Sequence, residues 1–283
     1  MSNTVGAAAA GRIAVVTGAN KGIGYFIALQ LATSGLFEHI ILACRDIQRG
    51  TQAVESMKND LVKQNPSSTV QITTNELIVG DTTSHEKFVQ YMEQNYGKVD
   101  CLVNNAGIAF KNADPTPFQE QTKPTLDINF RGPVDFTEQM LPLVRKGSDP
   151  RIVNVASMAG RLSQISPTLQ SKFTATTLTI PELKELVNDF EQSVQTGTYT
   201  EKGWGESNYG LSKLALIAAT NVLARENPMI AINSCCPGYC KTDMTSQGGY
   251  RPPNDGAKNA VLPATMLQPP TGAYFSDYKV ANW

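Results

Sequence analysis

Short apolar runs alternate with stretches whose apolar residues recur at helical spacing. Residues 12–17, Arg-Ile-Ala-Val-Val-Thr, suit a strand buried on both faces. A glycine turn follows, and then a helical stretch at 23–34. Residues 39–44 read as a second strand, 48–64 as a polar amphipathic helix and 70–79 as a third strand. Ser84 suits the N-cap of a helix over 84–95, ahead of a fourth strand at 99–104. A long helical region spans 125–144, a fifth strand 151–156, a helix 209–226 and a sixth strand 229–235. Residues 255–267 suit a helix broken at Pro263, and 273–276 a last short strand.

This alternation predicts an α/β fold: a doubly wound parallel sheet of the Rossmann kind, with helices on both faces. In such sheets ligands bind beyond the carboxyl ends of the strands. With no repeat or clear linker, 1–283 reads as one domain, and the small apolar residues 1–10 read as a flexible leader. The stretch 161–208 breaks the rhythm, because it carries no strand signal. Thr179-Ile-Pro-Glu182 there is a capping box with proline in the first turn. Ile180, Leu183, Val187, Phe190 and Val194 follow on one face, as expected of a helical insertion packed on the domain.

Composition narrows the function classes. At 283 residues and 41 % apolar content the chain can bury a sizeable core. A net charge of −1 and the absence of a dense Lys/Arg run argue against nucleic acid as a partner. The longest apolar stretches are strand-sized, so no membrane span is expected. Without a positively charged signal region the expected location is cytoplasmic. Five cysteines, an odd number, suit free thiols. His39 and His85 lie in separate segments without ligand spacing, so no metal site is expected even with Cys235, Cys236 and Cys240 close together.

Three places carry chemistry. Thr17-Gly-Ala-Asn-Lys-Gly-Ile-Gly24 sets Gly18, Gly22 and Gly24 between the first strand and the first helix. Glycine lets a phosphate approach the backbone, and the helix N-terminus offers N–H groups and a positive dipole end to a diphosphate. The alternative is a tight turn with helix-packing glycines. Where NAD-selective proteins place an acid after the second strand, this chain has Ala43-Cys44-Arg45. Lys21, Arg45 and Arg49 would converge there on the 2′-phosphate of NADP, unless Asp46 neutralises Arg45 and the charges are ordinary surface. Finally, Tyr209 and Lys213 stand four apart, on one helix face. An ammonium beside a phenol favours the phenolate and moves its pKa toward the working range of an acid–base catalyst.

Together with Asp81, Asn104-Asn-Ala-Gly107, Asn129, Ser157 and Pro237-Gly238, these residues resemble the short-chain dehydrogenase/reductase family over nearly the whole chain. The resemblance narrows to the monomeric carbonyl reductases that use NADPH. It does so through residues 20–24, Cys44-Arg-Asp46 with Arg49-Gly50, 104–110, 113–118, Ser166-Pro, Cys235-Cys-Pro-Gly238 and Thr242-Asp-Met244. It implies a small-molecule carbonyl substrate, and a monomer whose insertion covers the face through which relatives dimerise. Tyr209 is implied as proton donor, Lys213 as a lysine that also holds the nicotinamide ribose, Ser157 as a partner of the carbonyl oxygen and Asn129 as the anchor of a water.

Gly18, Asn20, Lys21, Gly22, Ile23, Gly24, Arg45, Arg49, Asp81, Asn105, Ala106, Gly107, Pro237, Gly238 and Thr242 are implied as cofactor contacts, with Asp81 near the adenine and Thr242 near the nicotinamide carboxamide. Met158, Cys236 and Tyr239 would line the substrate pocket with Ser157. Met158-Ala159-Gly160 after the serine, and Tyr239 where these reductases often carry Trp, depart from the pattern. Each residue also has a plain structural reading. Ser157 suits a turn, Asn129 a buried amide bonded to backbone, Asn105 a turn amide, Asp81 and Thr242 helix caps, and Cys236 a buried thiol. A nucleotide-binding sensor without turnover, or an alcohol dehydrogenase working in oxidation, is the competing reading.

Overall fold

The computed structural model describes residues 11–111 and 113–283; the leader expected at 1–10 lies outside the described residues. The seven expected strands form and an eighth joins them: β1 (Ile13–Thr17), β2 (His39–Cys44), β3 (Gln71–Glu76), β4 (Cys101–Asn104), β5 (Arg151–Val155), β6 (Ala231–Cys236), β7 (Tyr274–Ser276) and β8 (Lys279–Ala281). They form one sheet in the order β3-β2-β1-β4-β5-β6-β7-β8. All neighbours are parallel except β7 and β8. The order in which strands are added reverses between β1 and β4, so their carboxyl ends open a crevice at this switch point. β1, β4 and β5 are buried along their whole length, as strands covered on both faces must be.

The helices are α1 (Gly22–Thr33), α2 (Ile47–Gln64), α3 (Thr82–Asn95), α4 (Phe118–Leu126), α5 (Gly132–Val144), α6 (Pro167–Phe173), α7 (Ile180–Thr196), α8 (Asn208–Glu226) and α9 (Pro253–Thr265). On one side of the sheet Phe88, Phe130, Phe136, Leu214 and Ala218 form a core. On the other, Ile27, Leu31, Met57, Ala260 and Phe275 do so. α8 is buried nearly all round, which its mixture of Ala, Leu, Ile and Val permits.

Several boundaries differ from the sequence reading for definable reasons. Asp81, not Ser84, is the N-cap of α3, and its carboxylate accepts from Ser84 N at 3.2 Å. The Ser84 hydroxyl instead accepts from Ile78 N at 2.9 Å, outside the helix. The helical region expected at 125–144 starts earlier, at Phe118, and carries a π-helical turn at Asp127–Arg131. α9 runs through Pro263, because a proline so near the helix end costs it little further hydrogen bonding. β8 was not expected; Asp277 and Tyr278, both with left-handed φ (50° and 64°), make the tight turn that folds it back on β7.

The stretch 161–208 holds α6 and α7 and no strand. The capping box is present, with Thr179 N donating to Glu182 Oε2 at 2.9 Å and Glu182 N to Thr179 Oγ1 at 3.4 Å. The predicted stripe joins the main core through Leu183, Val187, Phe190 and Val194. Trp204 packs edge-on against Phe190 at 5.6 Å and Phe173 at 6.0 Å, and its indole N–H donates to Asp189 Oδ2 at 3.0 Å. The insertion is therefore part of the same cooperative unit. Phe190→Ala is expected to cost about 3–5 kcal/mol, as for a fully buried aromatic ring. Urea unfolding should still show one transition; early separate loss of the α6–α7 signal would contradict the shared core.

Candidate active site

The glycine turn and the end of β4 are locked to each other. Thr17 Oγ1 accepts from Asn105 N and Ala106 N, both at 3.0 Å. Asn105 Nδ2 donates to Thr17 O at 2.9 Å and Gly18 O at 3.3 Å. A Cβ on Gly24 would lie 2.4 Å from Asn105 Nδ2 and 2.5 Å from Gly18 O, so only glycine fits. Gly22 differs: its φ is +58°, and a Cβ there would meet only Thr242 Cγ2, at 3.7 Å. Open space above Gly22, at the N-terminus of a twelve-residue helix, fits a diphosphate. Asn20, Lys21 and Ile23 surround that space on the same turn.

The cations beyond β2 are less free than the sequence suggests. Asp46 does not neutralise Arg45. It caps α2 by accepting from Gln48 N and Arg49 N at 3.0 Å, and pairs with the Arg49 side chain at 3.3 Å. Lys21 Nζ lies 2.6 Å from Asp243. Arg45 is exposed beside them. Asp81 is an exposed helix cap, as its plain reading held.

At the end of β5, Ser157 is extended, and its hydroxyl accepts from Ala159 N at 3.1 Å to start a short 3₁₀ turn at Met158–Gly160. This turn lies on α8. A Cβ on Gly160 would be 2.8 Å from both Leu214 N and the Lys213 carbonyl carbon. That contact sets the Ser157 hydroxyl beside the Tyr209 side chain, in the first turn of α8, close enough to bear on its titration. One turn on, the Lys213 ammonium is 5.7 Å from the Tyr209 ring centre and donates to Val155 O at 2.9 Å.

Lys213 is only 4 % exposed, and burial pulls its pKa down to about 8. Burial is also the largest influence on Tyr209, half-buried as a residue, and pushes its pKa up to about 12, while the Ser157 bond pulls the other way. The expected lowering of the phenol by its lysine neighbour is thus reversed. Desolvation is the largest influence on both groups.

Asn129 sits in the π-helical turn, fully buried. Its Oδ1 accepts from Ile108 N at 2.8 Å, and its Nδ2 donates to Ile108 O at 2.9 Å and Ser212 Oγ at 3.1 Å. Ser212 Oγ in turn donates to Tyr209 O at 2.8 Å. The Asn129 side chain is therefore committed to protein groups and ties β4's loop to α8. Gly107 makes room for it: a Cβ there would lie 3.0 Å from Asn129 Oδ1 and 3.5 Å from Lys213 Nζ. Gly160 and Ser212 were missed by the sequence reading; a glycine three after the serine, and a serine beside the lysine, carry no signal until α8 is placed.

Cys236 is buried, and its sulfur accepts from Met158 N at 3.2 Å and Gly238 N at 3.3 Å. It joins the Ser157 turn to the Pro237–Gly238 turn after β6. Met158 and Tyr239 stand at the rim, 57 % and 47 % exposed. Thr242 is not a helix cap, since residues 242–248 form successive turns in which Thr245 N and Gln247 N donate to its carbonyl. A hollow of about 510 Å³ beside the Ser157 turn is lined by Ala159, Arg161, Gln164, Trp204 and Ser207. A second, of about 660 Å³, lies within the insertion between α6 and α7, away from Tyr209. Among the described residues no cluster of three His, Cys, Asp or Glu could hold a metal ion, and no helix is long and apolar enough to cross a membrane. The five cysteines are free thiols.

Residues 12–186 match the short chain dehydrogenase family profile. The chain belongs to the short-chain dehydrogenase family. It is 35 % identical to carbonyl reductase [NADPH] 1 of Homo sapiens over 96 % of this chain and 98 % of that protein. The Rattus norvegicus protein of the same name is 34 % identical over the same shares. Among solved structures, salutaridine reductase from Papaver somniferum is similar at a TM-score of 0.83 and 30 % identity, covering 94 % of this chain and 99 % of that one. Menthone neomenthol reductase from Mentha piperita follows at 0.75 and 29 %, covering 94 % and 98 %. In this short-chain dehydrogenase the glycine turn, Asn105, Ser157 and the Pro237–Gly238 turn follow the carboxyl ends of β1, β4, β5 and β6, and Asn129, Tyr209 and Lys213 reach the same edge of the sheet from helices.

The titration of Lys213 gives a direct test. Its folded pKa of about 8 lies below its ordinary 10.5, so between those values the unfolded chain binds more protons. Stability from this group therefore rises with pH across that window. Denaturation from pH 8 to 10 should show the wild type gaining on Lys213→Met by up to about 1.4 kcal/mol per pH unit. A flat difference would contradict a buried, desolvated ammonium.

Proposed function

We propose that the protein reduces ketones or aldehydes to alcohols with NADPH. The observation that carries this reading is the convergence of the Ser157 and Tyr209 hydroxyls and the Lys213 ammonium beside a glycine cradle that fits a diphosphate. Similarity to carbonyl reductases over nearly the full length supports it.

NADPH, when bound, supplies the hydride. The chain's own groups deal with the oxygen, which gains negative charge as the carbon is reduced. Ser157 donates a hydrogen bond to that oxygen, and Tyr209 delivers its proton. Burial holds the phenol protonated at neutral pH, the correct form for a proton donor in reduction. The nearby Lys213 ammonium stabilises the phenolate left behind. It also reaches the nicotinamide ribose. The side chain of Asn129 is engaged with Ile108 and Ser212, so its part is to hold the π-helical turn and, through its backbone, a water that returns the proton.

Gly18, Asn20, Lys21, Gly22, Ile23 and Gly24 cradle the diphosphate end, while Asn105, Ala106, Gly107, Pro237, Gly238 and Thr242 face the rest of the cofactor. Asp81 lies toward the adenine. Arg45 takes the 2′-phosphate, joined by Lys21 and Arg49 once the phosphate competes with their carboxylate partners. Met158 and Tyr239 form the rim of the substrate pocket above Ser157, with Cys236 beneath. The insertion at 161–208 covers one flank and leaves the protein a monomer.

Tyr209→Phe is expected to keep NADPH affinity within a few-fold while losing at least about a hundredfold in turnover of a good ketone, as for loss of a general acid. A rate within a few-fold of wild type would refute the proton-donor role. Direct titration should also show NADPH binding more tightly than NADH, with Arg45→Ala narrowing the gap. Equal affinity for both would exclude the 2′-phosphate site.

A further inference from the structure

After β6 the chain leaves the sheet at Pro237, loops out, and returns at Arg251 to enter α9. The two ends of this strap are stitched together. Lys241 N donates to Arg251 O at 2.8 Å, Arg251 N to Tyr239 O at 3.1 Å, and Cys240 and Arg251 form a parallel bridge. The strap holds Thr242 near Gly22 and reaches the glycine turn through the Lys21–Asp243 pair. Its tip includes Ser246 and Gln247 at left-handed φ (50° and 63°), a conformation other residues must enforce.

The Arg251 side chain is 16 % exposed and reaches two separate elements. Its Nη1 donates to Pro237 O at 3.1 Å, and its Nη2 to Asp277 Oδ1, in the β7–β8 turn, at 2.6 Å. The guanidinium also lies over the Tyr278 ring at 5.5 Å. It sits so close to the Pro237–Gly238 turn that a Cβ on Gly238, whose φ is +82°, would come within 2.6 Å of Nη1. Glycine at 238 is thus matched to arginine at 251. The same turn is tied through Cys236 to the Ser157–Met158 turn.

We propose that Arg251 is a positioning residue, which bolts the Pro237–Gly238 turn and the 239–251 strap to the β7–β8 hairpin and so fixes the nicotinamide end of the cofactor site and its Tyr239 rim. The proposal rests on the reading of this site as an NADPH site. The planar guanidinium serves the Pro237 carbonyl and Asp277 from two separate nitrogens, whereas a lysine would have to reach both from one. Tyr250, 75 % exposed and 6.2 Å from Tyr239 between ring centres, stands beside the bolt.

Arg251→Met, Arg251→Lys and Asp277→Asn test this. Three readouts are used: tryptic cleavage after Lys241 in the cofactor-free protein, affinity for NADPH, and affinity for 2′,5′-ADP, which lacks the nicotinamide end. Arg251→Met is expected to speed cleavage and weaken NADPH about tenfold, while 2′,5′-ADP stays within about twofold. Arg251→Lys should rescue little of this, and Asp277→Asn should speed cleavage to a smaller degree. Folded Arg251→Met with NADPH affinity and cleavage within twofold of wild type overturns the proposal. So does a parallel loss of NADPH and 2′,5′-ADP affinity, which a general structural role would produce. If Arg251→Met does not fold, unchanged cleavage in Asp277→Asn overturns it. A wild-type protein that binds NADPH but turns over no carbonyl would sink the enzymatic reading and leave this test intact.

Discussion

An ammonium removed from water at the end of β5 is the constraint on which the rest of the site depends. The drop of Lys213 from 10.5 to about 8 corresponds to about 3 kcal/mol of lost hydration that its bond to Val155 O does not restore. Such a group persists only if something gains from it. Its neighbour is a phenol that burial holds protonated, and in the proposed reaction the pair meets the moment the phenol gives up its proton. Then the ammonium faces a phenolate in a low-dielectric site, where attraction is strongest. In the proposed reaction, transfer of one proton relieves this unfavourable arrangement.

Close approach is the second constraint, and glycines enforce it. Gly160 lets the Ser157 turn lie on the backbone of α8, Gly107 lets Asn129 and Lys213 share one corner, and Gly24 lets Asn105 reach under the first turn. Each joins two elements far apart in sequence. The proposed catalytic groups therefore ride on strand ends and helices, and their placement follows from core packing that includes Phe130, Phe136 and the insertion's Phe190. Flexible loops are left to the rim, where Met158, Tyr239 and Tyr250 stand exposed.

How far this was legible in sequence depended on whether the signal was local. The succession of strands and helices could be inferred because buried runs and amphipathic stretches alternate, and the capping box at Thr179 marked α7 from four residues alone. Ser84 was misjudged because Asp81, three residues earlier, competes for the same role and offers a charged acceptor. The π-helical turn at 127–131 left no mark in the pattern, since five residues are too few to set an apolar period of their own. Tyr209, Lys213 and Ser157 stood out by type and position. Their energetics did not, because desolvation belongs to the assembled core and reversed the sign expected for the tyrosine. The Arg251 bolt was likewise invisible, since its partners Pro237 and Asp277 are brought together only by the sheet edge.

A structure of the protein with NADP⁺ and an unreactive carbonyl analogue tests the central claim most directly. The account predicts that the analogue's oxygen accepts hydrogen bonds from Tyr209 and Ser157 while its carbon contacts nicotinamide C4. A nicotinamide ring held away from Tyr209, or a Tyr209 hydroxyl turned to solvent in that complex, would contradict it.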